Sequence, residues 1–254
     1  MGRTKTNLST GAGQGVLVAL LWAAATAVGA TEVVANGGFE LNGGANTNTF
    51  TGWTETDQAA GSGSIFAQTG TSSPPPNVVT VPAPPQGTFS AMSSQGGPGS
   101  HILYQNITLP TGASARFSAT VYVNNQGGSF STPSTLDYTV TPNQQARIDI
   151  MSTGSAVTDV GAGVLLNLYQ TKVADPLVSG YTAISADLTP FAGQTVRLRI
   201  AEADTQGFFN FGIDQVSVDA NTPVPTLSEW ALMATGLVVL MVGFGALGRR
   251  RVGA

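Results

Sequence analysis

Between residues 31 and 219 the chain alternates apolar and polar residues with a period of two. Phe117, Ala119, Val121 and Val123 interleave with Arg116, Ser118, Thr120 and Tyr122, and Val196, Leu198 and Ile200 interleave with Arg197 and Arg199. Successive side chains of an extended strand point to opposite faces, so this pattern predicts strands with one apolar and one wet face. Phe209, Phe211 and Ile213 alternate in the same way and are expected to point together into the core. Further strand candidates are 64–68, 78–81, 88–92, 102–109, 136–140, 146–151, 164–171, 181–187 and 208–218, enough for two packed sheets. Turn signals such as Asn42-Gly43-Gly44 and Asn124-Asn125-Gln126-Gly127-Gly128 separate them. The proline-rich stretch 72–85 reads as an extended loop. With 32 glycines and only 9% charged residues, long amphipathic helices have little to be built from. The expectation is an all-β fold, an antiparallel β-sandwich over residues 31–220, in a single domain.

Both ends read differently from this body. Arg3 and Lys5 precede an apolar run at 16–25, and Val28-Gly29-Ala30 offers the small residues after which signal peptidase cuts. Residues 1–30 are therefore expected to be a signal peptide, with Thr31 starting the mature chain. The alternative is an uncleaved anchor, for which the apolar run is short of the roughly 20 residues that span a bilayer. At the other end, residues 230–247 carry no charge and Arg249, Arg250 and Arg251 follow. That order predicts a single transmembrane helix with its basic end in the cytoplasm and the body outside.

Ahead of that helix stands Val224-Pro225-Thr226-Leu227-Ser228-Glu229-Trp230. With the helix and the arginine cluster, it resembles the IPTL-CTERM sorting signals, relatives of the PEP-CTERM tails of Gram-negative bacteria. The family pattern has Ile where Val224 stands and Gly where Ala231 stands; the rest of the motif matches. The resemblance covers residues 221–254. It implies recognition by an exosortase-type membrane transpeptidase that cuts near Pro225 to Leu227 and transfers the body to a surface acceptor. Val224, Pro225, Thr226, Leu227, Trp230 and Arg249 to Arg251 are then substrate positions. It further implies transient anchoring in the inner membrane and a final place at the outer surface or outside the cell. An ordinary single-span tail anchor is the alternative.

Charge narrows the partners. Arg3, Lys5 and Arg249 to Arg251 lie in the terminal segments, so 5 basic residues face all 14 acidic ones between residues 32 and 229, a net −9. Such a body repels phosphates, and nucleic acid is not an expected partner. Low charge also fits self-association through strand edges, which charged residues normally discourage. Cysteine is absent, which removes disulfides and thiolate metal sites.

Asn36-Gly37-Gly38-Phe39-Glu40 with Gly52-Trp53 near the start of the body, residues 102–109 and 187–196 in its middle, and Gly207 to Val218 at its end resemble the galactose-binding-like jelly roll of many carbohydrate-binding modules. The resemblance implies that first and last strands meet and share a structural calcium, with Glu40 and Asp214 at the ligand positions. Gln215 replaces the second aspartate of the family pattern, and the alternative is a pair of solvated or hydrogen-bonded carboxylates. It also implies a surface polysaccharide as a ligand. An exposed aromatic platform would be drawn from residues such as Trp53 and Tyr104, and core packing is the alternative for each.

Enzyme chemistry has less to stand on. His101 is the only histidine, set after Pro98-Gly99-Ser100 where a turn is expected, and no Gly-x-Ser-x-Gly elbow occurs. Asp137, Asp149, Glu202 and Asp204 supply carboxylates for glycosidase chemistry, but their spacing singles out none. The expected function is a noncatalytic, sorted surface protein with a structural or adhesive role, and the alternatives are a carbohydrate-binding module or a polysaccharide-acting enzyme.

Overall fold

The computed structural model describes residues 30–222 and 234–241. The strands are β1 (Thr31–Glu32), β2 (Thr54–Asp57), β3 (Ser64–Thr69), β4 (Phe89–Ser94), β5 (Gly99–Thr108), β6 (Ser114–Asn125), β7 (Gln144–Met151), β8 (Val164–Gln170), β9 (Thr182–Asp187), β10 (Thr195–Asp204) and β11 (Phe209–Asn221). They form two antiparallel sheets, ordered β3-β4-β11-β6-β9 and β2-β5-β10-β7-β8, with β1 added at the end of β11. From β4 onward successive strands alternate between the two sheets except at β7 and β8, which pair with each other in one sheet, and the two sheets stack as a sandwich.

The period-two pattern acts as predicted in β6 and β11. Phe117, Ala119, Val121 and Val123 of β6 and Phe209, Phe211 and Ile213 of β11 are buried in one cluster with Leu103, Ile107, Ile148, Leu198 and Ile200 of the facing sheet. At about 25 cal/mol per Å², each fully buried Val, Leu, Ile or Phe side chain among them contributes about 1.5–3 kcal/mol.

Three expectations need correction. β10 has no wet face: Arg197 and Arg199 are 8% and 0% exposed because residues 152–163 lie across them. Arg197 donates to the carbonyls of Thr153 and Ser155, and Arg199 to those of Val157 and Asp159, which satisfies the guanidinium groups. Residues 78–81 and 136–140 are loop, not strand. Their apolar side chains plug the outer faces of the sheets: Leu136 packs with Ile102, Ala201 and Ala203, and Val81 with Met92 and Tyr122. His101 lies within β5, not in a turn, and is wholly buried.

Residues 234–241 are helical. Among the described residues no helix is long and apolar enough to cross a membrane. Residues 1–29 of the expected 1–30 signal peptide, the expected sorting positions Val224, Pro225, Thr226, Leu227 and Trp230, and Arg249, Arg250 and Arg251 lie outside the described residues.

Candidate functional site

The Asn36-to-Glu40 segment meets β11 where β11 is irregular. The register with β6 shifts between Asp214 and Ser217, Gln215 has a φ of 55°, and Gly37 presses against the bulge so closely that a Cβ there would sit 1.7 Å from the Val216 carbonyl oxygen. The Val216 N–H donates to the Gly37 carbonyl at 2.9 Å. This packing brings Glu40 and Asp214 to the same turn. Glu40 Oε1 accepts from the N–H groups of Thr88 and Phe89, and Asp214 Oδ2 accepts from Gln86 N–H at 3.1 Å. Asp214 is fully buried. Burial, reinforced by the charge of Glu40, pushes its carboxyl up to about 6. Among the described residues neither carboxylate makes an ion pair with a basic side chain. Both carboxylates thus reach residues 86–89, close enough for the charge of Glu40 to act on Asp214. Glu40 Oε1 is saturated by two donors, leaving Glu40 Oε2 and the remaining Asp214 lone pairs for a hard cation, with carbonyls or water needed to complete six to eight ligands.

The two aromatic positions do not stand out as a platform. Trp53 is 8% exposed, its ring centroid is 5.4 Å from that of Phe39, and its Nε1 donates to the Asn36 carbonyl. It borders an open cleft of about 580 Å³ lined also by Asn42, Asn48, Thr49, Thr51 and Glu55. Tyr104 is half-buried, with the Arg197 guanidinium carbon 4.9 Å from its ring centroid on the outer side of the sheet. The sequence patterning does not foresee this cover, because it comes from a loop of irregular conformation.

Each of the four carboxylates weighed for hydrolytic chemistry has a different setting. Asp137 holds its own turn, accepting from Thr139 N–H, Thr139 Oγ1 and Gln58 Nε2. Asp149 is buried between two arginines, accepting from Arg147 Nε at 2.7 Å and Arg199 Nη2 at 2.5 Å. Burial alone would raise its pKa, but the hydrogen bond from Arg147 and the charges of both arginines hold it below the ordinary carboxylate value. Glu202 and Asp204 project inward from β10 into the sandwich. Glu202 faces His101 across the β5–β10 ladder, and Asp57, on β2, touches His101 Nδ1 at 2.6 Å. Next to it on β2, Glu55 accepts from Ser64 Oγ at 2.8 Å. Burial and its contact with Asp57 raise Glu55 to about 7. Burial raises Asp204 to about 7, and burial together with Asp204 and Asp57 raises Glu202 well above its usual value. The sequence reading missed this convergence of four carboxylates and the histidine. Its sequence signals are the Glu-x-Asp spacings of Glu55 and Asp57 on β2 and of Glu202 and Asp204 on β10, each of which sets both side chains on one face.

The tail supplies the clearest relationship. Residues 222–251 match the IPTL-CTERM motif. The IPTL-CTERM tail thus begins at the residue after the last strand, Asn221. A sorting signal in this position implies export to the cell envelope or surface. No curated protein matches the chain. Among solved structures, the sandwich is similar to TmCBM61 in complex with β-1,4-galactotriose at 13% identity, covering 74% of this chain and 97% of that one with a TM-score of 0.45. It is also similar to the K3 cleaved adhesin domain of Lys-gingipain from Porphyromonas gingivalis at 14% identity, covering 76% and 99% with a TM-score of 0.48. A third is a Stig cyclase from Fischerella sp. TAU at 17% identity, covering 76% and 98% with a TM-score of 0.44.

Proposed function

We propose that the chain is a noncatalytic exported protein, cleaved after Ala30 and sorted through its IPTL-CTERM tail by an exosortase-type transpeptidase, with a structural or adhesive role at the outer surface of a Gram-negative cell. The observation that carries this reading is the match at residues 222–251, placed immediately after the last described strand, which ends at Asn221. The noncatalytic part is supported by the settings of Asp137, Asp149, Glu202 and Asp204. Asp149, Glu202 and Asp204 are buried, and none of the four lines the open clefts beside Trp53, Tyr169 and Gln215, whereas glycosidase chemistry needs its two carboxylates open to substrate. The test is the intact mass of the protein recovered from the cell surface. A mass that starts at Thr31 and ends near Pro225 to Leu227 with an adduct supports sorting. A mass that retains Arg249 to Arg251 refutes it and leaves a plain membrane anchor.

A second reading, carbohydrate binding, is favoured by the cleft that Asn42, Asn48, Thr49 and Thr51 line beside Trp53. Amide and hydroxyl groups beside an aromatic ring suit sugar hydroxyls and C–H faces. Binding of the full-length protein to a glycan panel, abolished by replacing Asn48 with Ala, is the expected outcome under that reading, and silence across the panel counts against it. A structural calcium held by Glu40 and Asp214 accompanies either reading.

A further inference from the structure

The inward carboxylates of β10 carry an inference independent of sorting and of the Glu40–Asp214 pair. His101, Glu202 and Asp204 are 0%, 0% and 2% exposed. His101 Nε2, both oxygens of Glu202 and Asp204 Oδ1 have no hydrogen-bond partner. Leaving one buried polar atom unpaired costs about 1–3 kcal/mol and more for a charged group, so four in one place require an explanation. Their ligand-capable atoms all lie within 4.8 Å of one another. His101 Nε2 and Glu202 Oε2 are 3.9 Å apart, too far for a hydrogen bond. With metal–nitrogen and metal–oxygen bonds of about 2.1 Å, that separation corresponds to an angle of about 136° at a shared ion, and a shift of about 0.5 Å brings the pair to the tetrahedral spacing of about 3.4 Å.

The surroundings point the same way. His101 Nδ1 lies 2.6 Å from Asp57 Oδ1. A carboxylate that accepts the far N–H of a ligating histidine sets the tautomer and leaves Nε2 with its lone pair toward the ion. Gly99, opposite Asp204 in the ladder, keeps the approach to that nitrogen clear, since a Cβ there would stand 2.6 Å from His101 Nε2. An imidazole nitrogen with two carboxylate oxygens is a borderline donor set that suits zinc-class ions better than calcium, which wants six or more oxygens. Two carboxylates neutralise a dication, which removes the cost of burying them as free anions.

We propose that His101 Nε2, Glu202 and Asp204 bind one divalent transition-metal ion of the zinc class, oriented by Asp57, and that this ion pins β5 to β10 inside the sandwich. The test is made on the full-length chain purified in detergent, unfolded and refolded with Zn²⁺ and desalted. About one zinc per chain is expected by elemental analysis, and refolding with Co²⁺ should give the visible absorption of a four-coordinate site. Glu202→Gln and His101→Gln should lose the metal, whereas Glu40→Gln and Asp214→Asn should keep it. A chelator should lower the Tm of the zinc-loaded wild type, a readout that needs no variant to fold. Folded wild type that retains no zinc or cobalt and whose Tm is indifferent to chelator would overturn the proposal. Metal that survives Glu202→Gln but is lost with Asp214→Asn would also overturn it, by placing the ion at the other site.

Discussion

Asp149→Asn tests the energetic weight of the charge network on the outer face of the β5–β10–β7 sheet. Asp149 is 0% exposed and accepts from Arg147 Nε at 2.7 Å, Arg147 Nη2 at 2.9 Å, Arg199 Nη2 at 2.5 Å and Asn167 Nδ2 at 2.8 Å. Asparagine keeps the shape and one acceptor oxygen, removes the charge, and turns an amide donor toward guanidinium donors. Arg147 and Arg199, 5% and 0% exposed, are then left as buried cations facing each other. At an effective dielectric of 20 and a charge separation of about 4 Å, each lost attraction is worth about 4 kcal/mol before the remaining carbonyl contacts of Arg199 compensate. Breaking a buried pair in this way costs about 3–5 kcal/mol, a large share of a typical total of about 5–15 kcal/mol. Urea unfolding at pH 7, followed by fluorescence, measures it, with the m-value unchanged if the folded state is otherwise intact. The triple change Arg147→Met, Asp149→Leu, Arg199→Met should recover much of the loss, because it leaves no orphaned charge. A loss below about 1 kcal/mol for Asp149→Asn would refute the reasoning, since the network would then behave like an exposed ion pair.

Other perturbations follow from features already described. Glu55 has a folded pKa of about 7 against 4.5 for the free side chain, so the unfolded chain releases this proton first and stability falls as pH rises from about 4.5 to 7. Glu55→Gln should flatten that part of the urea-midpoint profile and be the more stable protein at pH 8; a wild type that gains stability over the window relative to the variant contradicts the assignment. Gly37→Ala forces a Cβ to within 1.7 Å of the Val216 carbonyl oxygen, and the bulge must open, at a cost of about 1–3 kcal/mol or more, readable as a lower urea midpoint. Calcium should raise the Tm of the wild type and leave that of Asp214→Asn unmoved; equal Tm values for the wild type with and without calcium would leave Glu40 and Asp214 as a hydrogen-bonded turn clamp.

The alternation that identifies β6 and β11 is legible because one side of each strand packs into the core while the other carries polar residues. β7 obscures it: every residue of Gln144–Met151 is buried, so polar and apolar positions are no longer sorted by exposure. Gln144 is buried inside because its amide donates to Asn125 Oδ1 and the Gly207 carbonyl. β2 reads Thr-Glu-Thr-Asp and carries no apolar signal, since it is an edge strand paired only with β5. The Glu40–Asp214 convergence is reachable from sequence through family resemblance, whereas the His101 cluster is not. Its members come together through strand register, with Asp57 opposite His101 and His101 opposite Glu202. No linear spacing encodes that.

β11 also determines how the protein bears load. It runs antiparallel to β6 from Phe209 opposite Asn125 to Asn221 opposite Ser114, with β1 clasping its last residues. If the body is attached to a surface through the segment after Asn221, load enters the sandwich at the end of β11. A pull directed along that strand would load the β6–β11 hydrogen bonds together in shear instead of unzipping them one at a time, and the C-terminal strand would then serve as a mechanical anchor as well as the last strand of the sandwich.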